Sequence, residues 1–289
     1  EEVPLDSDPD LLDLDAPADP EETEDAYNRY FPGSYPHPDH ERPAFRIPGP
    51  DLPVGQYRII TGVMDLEPAL ALAKSYKVSL TELMTGVYME SLQGLWLGLP
   101  KALRRRTRLS IEVPVNMRQF HPTRTNRNFS LFVHVQQDLR LGRRELSDIV
   151  SKIHHQMRCE IDAPSMARHI ARNVGGGRNL AVRVLPLFIK SPFMRILYSY
   201  YGENIISGVM SNLGSPSFSP AVAAHIERLD MIAAPARTIK TKATMVSWKG
   251  KLYLTFGGMG QTREVERLFF QRLASLGLAV RIECNLEDS

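Results

Sequence analysis

The sequence predicts an α/β protein, a two-layer sandwich in which helices pack on an open mixed β-sheet. Three observations predict it. Strand-like and helix-like runs mix without the strict alternation of a doubly wound fold. The stretch "SLTELMTGVYMESLQGLWLG" carries apolar residues at helical spacing behind a helix-start signal. The last third reads as strands, with the hairpin "ATMVSWKGKLYLTF", and then an amphipathic helix.

Each element follows from its residues. Residues 1–56 are rich in Pro, Asp and Glu and read as an acidic linker or tail, largely extended, with one short helix near Glu22–Tyr30. The body is residues 57–289. It starts with a β-branched strand at 57–65 and a helix at about 66–76. At Ser79 a Ser with Glu three residues on makes a capping box, in which each side chain takes up a free N–H of the first turn. Leu80, Leu83, Met84, Val87, Leu92, Leu95 and Trp96 form the apolar face of that helix, a core-packing face. "LSIEVPVNM" (109–117) and "SLFVHVQQDL" (130–139) read as strands joined by the polar bend "RQFHPTRTNRN". A helix follows at about 144–161, then a broken helical region at 163–201. Strands are expected at 205–212, at about 226–233 and in the hairpin turning at Lys249-Gly250. "TREVERLFFQRLASLG" closes as a helix with Val265, Leu268, Phe269, Leu273 and Leu276 on one face, and "LAVRIEC" adds a last strand.

Composition narrows the function. At 289 residues, with 43% hydrophobic and 24% charged side chains, the chain is that of a soluble globular protein. It has no apolar run of about 18 residues, so no membrane span is expected. Two cysteines, Cys159 and Cys284, form no metal spacing and no disulfide framework, which fits a reducing cytoplasm. The formal charge is +2, but residues 1–25 hold twelve acidic side chains and no Lys or Arg. Taking those twelve away leaves +14 on residues 26–289. A solvated acidic tail is one reading; a tail that covers an anion site is the other. The basic residues are scattered without interleaved aromatics, so no nucleic-acid partner is expected.

Candidate chemistry is sparse. His154-His155 cannot share a metal from one helix, because helical neighbours point about 100° apart. "HPDH" (37–40) lies in the Pro-rich segment, where no preorganised metal site is expected. "NVGGGRN" (173–179) lacks the preceding strand of a phosphate loop and reads as a helix break. "RRRTR" (104–108) reads as a solvated turn. There is no G-x-S-x-G elbow, P-loop or dinucleotide fingerprint. No metal and no self-contained catalytic set is expected.

The ordered segments carry a resemblance. "KVSLTELMTGVYMESL", "IEVPVNMRQFHPTRTNRNFS", "VMSNLGSP" and "LYLTFGGMGQTREVERLFFQRL" resemble, in order, motifs in the second half of the chloramphenicol-acetyltransferase-like superfamily. Alcohol acetyltransferases, wax-ester synthases and condensation domains belong to it, and a bacterial alcohol-acetyltransferase-like or condensation-domain-like branch looks nearest. The resemblance implies a half of that fold, with acyl-CoA or a carrier-protein thioester as co-substrate, no bound cofactor, and an alcohol or amine acceptor. It implies a tunnel between two halves and a catalytic H-H-x-x-x-D-G motif in the first half, whose second His takes the acceptor proton.

This chain departs from that pattern. "HHQMRCEID" has Glu160 and Ile161 where Asp and Gly should follow, and it lies downstream of "VPVNMR". No catalytic role is carried to His154 or His155. The expectation is the second half alone, with a catalytic half preceding Glu1 as its partner. By the resemblance, Ser211, Asn212 and Gly214 match "S-N-x-G" at the tunnel wall, Asn116 and Arg118 match "V-N-x-R", and Asn128 matches the bend Asn. From the residues alone, an Arg at a strand end equally ties down a loop, and Asn with Gly equally makes a turn. A half would expose apolar surface, so it would form a homodimer or use residues 1–56 as a cover. The alternative to an enzyme half is a non-catalytic binding or scaffold module on the same fold.

Overall fold

The computed structural model describes residues 17, 19–33, 41–178, 186–188, 190–192, 202–236 and 238–286. Seven strands form one sheet: β1 (Arg58–Asp65), β2 (Arg108–Asn116), β3 (Ser130–Asp138), β4 (Gly208–Asn212), β5 (Thr241–Trp248), β6 (Lys251–Gly258) and β7 (Arg281–Cys284). Their order is β3-β2-β4-β5-β6-β1-β7. β2, β4 and β5 run parallel, and every other pairing is antiparallel. The sheet is therefore open and mixed, as expected.

Alternation decides which side chains meet the helices. Leu109, Ile111, Val113 and Val115 of β2, Met210 of β4, Ala243 and Met245 of β5, and Leu252, Leu254 and Phe256 of β6 all join the main core. Against that face pack α3 (Leu80–Gly98), α4 (Leu146–Glu160) and α7 (Glu264–Ser275). The connecting helices are α1 (Ala26–Arg29), α2 (Leu66–Ser75), α5 (Ala163–Arg178) and α6 (Pro220–His225). Tyr88 of α3 is fully buried and donates its hydroxyl to Thr241 O of the sheet (3.0 Å). The space it needs exists because position 208 is glycine. A Cβ there would lie 2.2 Å from the Tyr88 oxygen.

Two expectations are corrected. Residues 226–233 form no strand. They lie across the far face of the sheet, where Ile226, Leu229 and Met231 pack on Val63, Val246, Trp248 and Tyr253. Side chains of the sheet satisfy their backbone: Trp248 Nε1 donates to Ile226 O (3.0 Å), and the Thr244 hydroxyl donates to Met231 O. The β-like pattern there reflects one-sided burial, not a ladder. The second correction is at the glycine run. α5 continues through Gly175, Gly176 and Gly177 to Arg178, where a break was expected.

The N-terminal region is attached to the body. Phe45 and Ile47 are buried in the main core. Phe45 N–H donates to Arg108 O (2.6 Å) and Ala44 N–H to Asn204 O (3.0 Å). Upstream, Tyr27 and Tyr30 pack on Phe129, and the Tyr30 hydroxyl donates to Pro122 O (2.5 Å). "HPDH" lies outside the described residues.

Candidate functional site

In open α/β sheets, ligands bind beyond the carboxyl ends of the parallel strands. Here those ends are Asn116, Asn212 and Trp248. At the end of β4 the Asn212 amide works in two directions. Its Oδ1 accepts from Gly214 N–H (2.8 Å), forming a turn, and its Nδ2 donates to Thr81 Oγ1 (2.9 Å) in the first turn of α3. Gly214 turns the chain at φ +79°, and its carbonyl accepts from Ser247 N–H (2.8 Å). Two of the motif segments, "SLTEL" and "SNLG", thus meet through one hydrogen bond.

At the start of α3 is a pocket of about 420 Å³. Lys74, Lys77 and Arg158 line it, together with Ser79, Glu82 and His154. The three cations form no ion pair or side-chain hydrogen bond among the described residues. Glu82 is the pocket's one carboxylate, and both its oxygens are taken. Oε2 accepts from Ser79 N–H (2.7 Å), completing the capping box, and Oε1 meets His154 Nδ1 (3.0 Å). Glu82 is buried and His154 about a quarter exposed. The arrangement is a cationic recess with its one negative charge already engaged, suited to an anionic group such as a phosphate.

Lys77 adds a backbone observation. It follows α2 at φ +59°, with Lys77 N–H donating to Lys74 O (2.9 Å) and Val78 N–H to Ala73 O (3.2 Å). Those two bonds are the helix-ending arrangement that ordinarily holds glycine at this position. A lysine there costs about 1 kcal/mol in a left-handed conformation.

The structure separates the other expected site residues. Ser211 neighbours Asn212 but faces the opposite side of the sheet, paired with Thr244 in the ladder, and its hydroxyl has no hydrogen-bond partner among the described residues. Asn116, Arg118 and Asn128 sit at the β2–β3 bend. Asn116 Oδ1 accepts from Arg118 N–H (3.1 Å), and the guanidinium donates to Thr125 O (2.6 Å) and Arg127 O (3.0 Å). Asn128 Oδ1 accepts from the Ser130 hydroxyl (2.7 Å). These bonds shape the bend, onto which residues 19–30 dock: Asn126 N–H donates to Glu22 O (2.8 Å). Lys77, Val78, Ser79 and Glu82 of the pocket lie in the motif segment "KVSLTELMTGVYMESL", but sequence showed Ser79 and Glu82 only as a cap, and it singled out neither Lys74 nor Arg158.

His154 and His155 do not converge; their rings lie 5.7 Å apart at 67°. Among the described residues no group of three or more His, Cys, Asp or Glu could hold a metal ion. No described helix is long and apolar enough to cross a membrane.

No protein-family model matches the chain, and no curated protein matches it. Solved structures do. The trichothecene 15-O-acetyltransferase from Fusarium sporotrichioides aligns at TM-score 0.53 and 12% identity, over 82% of this chain and 48% of that one. A wax ester synthase/diacylglycerol acyltransferase from Marinobacter aquaeolei VT8 aligns at TM-score 0.44 and 14% identity, over 78% and 50%. The condensation domain in the enacyloxin polyketide synthase aligns at TM-score 0.45 and 12% identity, over 79% and 44%. The chain spans about half the length of these structures. Its fold is similar to that of about half of the trichothecene 15-O-acetyltransferase structure.

Proposed function

We propose that this chain is the second half of a thioester-dependent acyltransferase, which transfers an acyl group to an alcohol or amine. The observation that carries the reading is the cationic pocket at the start of α3. It gathers three cations, unpaired among the described residues, around the first turn of α3. Lys74, Lys77 and Arg158 would hold a phosphate of coenzyme A or of a carrier protein's arm, by charge-assisted hydrogen bonds. Asn212 would keep the end of β4 against α3, so that the pocket and the strand end stay in register. Ser211, with its hydroxyl free on the other face, would line the acyl path. The general base would come from the half this chain does not span. An alcohol needs such a base before it attacks a thioester carbonyl.

The test is equilibrium binding of an acyl-CoA to this chain, read together with thiol release. Saturable binding without thiol release is the expected result. No binding would favour the scaffold reading of the fold. Thiol release by this chain alone would overturn the assignment of the base to another half.

A further inference from the structure

The contact between Glu82 and His154 constrains how the pocket can take an anion. A carboxylate only accepts hydrogen bonds, so the imidazole nitrogen facing Glu82 Oε1 at 3.0 Å, Nδ1, must carry a proton. In a neutral ring the other nitrogen, Nε2, is then an acceptor lone pair. Nε2 has no partner among the described residues, and His154 lines the pocket. A neutral His154 therefore offers an anion nothing but a lone pair. A second proton turns Nε2 into a donor and balances Glu82, while the Glu82 contact holds the ring in place. The other charged or titratable groups near the ring are Lys74 of α2, Lys77 beyond it, and Arg158 and His155 of α4.

We infer that His154 is an anion ligand that acts as imidazolium, so that filling the pocket with a phosphate-type anion takes up a proton. The inference rests on reading this pocket as the phosphate-holding part of the site. It makes co-substrate affinity rise as pH falls, through a residue outside the four motif segments. No covalent step is involved; the proton comes from solvent and returns on release.

Sulfate is the probe, because unlike phosphate it does not titrate in the histidine range. The readout is the His154 Cε1–H resonance of the full chain, assigned by its loss in His154→Gln. It is titrated in sodium sulfate and in sodium chloride at matched ionic strength. The His154 midpoint should rise by about one pH unit in sulfate, equivalent to about tenfold tighter sulfate binding by the protonated form. From about pH 6 to about pH 8 wild-type affinity should fall accordingly, while His154→Gln shows little pH dependence. Glu82→Gln supplies an independent arm. Gln serves equally well in a capping box, and its amide can donate to Nδ1, which leaves an N–H on Nε2 in the neutral ring. That variant should bind sulfate severalfold more tightly than wild type at about pH 8. An unmoved midpoint while sulfate still shifts pocket resonances overturns the role of His154 and leaves the pocket standing. Sulfate that shifts no pocket resonance at either pH overturns the phosphate reading of the pocket and this inference with it.

Discussion

On the proposed reading of the pocket, Lys77 is the residue where stability and function are set against each other. Its left-handed conformation at φ +59° is one that glycine adopts freely. Lys77→Gly should therefore raise stability by up to about 1 kcal/mol. It should also weaken coenzyme A binding, since a pocket cation is lost. Thermal unfolding and calorimetric titration of the same variant check both directions. A variant more stable and equally good at binding would remove Lys77 from the site. At this scale the sequence was legible only in part. Asn212 and Gly214 were readable as a strand end, and Ser79 with Glu82 as a cap. The pocket was not readable, because Glu82 and His154 are 72 positions apart and meet only when α4 packs on α3. The end of α2 was readable to within a residue, but its left-handed turn at Lys77 was not, because a lysine stands where the local rule expects glycine.

Among the elements, α3 is where sequence reading was strongest, since capping and apolar period agree there. What periodicity cannot show is how closely α3 approaches α4. Gly86 marks the place: a Cβ on it would lie 2.4 Å from Val150 Cγ2. Two effects compete in Gly86→Ala. Helix propensity favours Ala by about 1 kcal/mol. Overpacking against a stiff β-branched side chain costs about 1–3 kcal/mol. The expected net effect is destabilisation by about 1 kcal/mol, reversed in sign when Val150→Ala is added to make room. Chemical denaturation of the single and double variants measures it. The segment 226–233 shows the opposite limit. Its apolar residues are buried on one side as a strand's would be, yet Trp248 and Thr244 side chains bind its carbonyls and no ladder forms.

Across the whole molecule, the N-terminal region is held to the sheet by an ionic cluster. Glu41 binds His134 Nδ1 (2.7 Å) and Arg108 (3.0 Å), and Glu112 lies 3.5 Å from His134 Nε2. Burial alone would lower the His134 pKa. Hydrogen bonds to Glu112 and Glu41 outweigh that and raise it to about 9. A folded-state pKa above the unfolded value of about 6.5 gives stability that is fully present below about pH 6.5 and is lost as pH rises through about 9. The loss should be of the order of 3 kcal/mol, and His134→Gln should flatten that part of the profile. Urea denaturation across this range checks it. A wild type equally stable at both ends would mean the cluster does not hold the segment. Fold class was legible at this scale because the mixed order of strands and helices excludes a doubly wound sheet. The attachment of residues 19–33 and 41–56 was not, since their Pro-rich, acidic composition reads as linker while a few apolar residues, such as Phe45 and Ile47, do the docking.

The central claim is that the cationic pocket holds a phosphate of a thioester co-substrate. Calorimetric titration of coenzyme A into wild type and into the Lys74→Ala/Lys77→Ala variant tests it most directly. Removing charge-assisted bonds of about 1.5–3 kcal/mol should weaken binding by about tenfold or more, with the fold unchanged by circular dichroism. Equal affinity in the two proteins, or no coenzyme A binding by wild type, would contradict the claim.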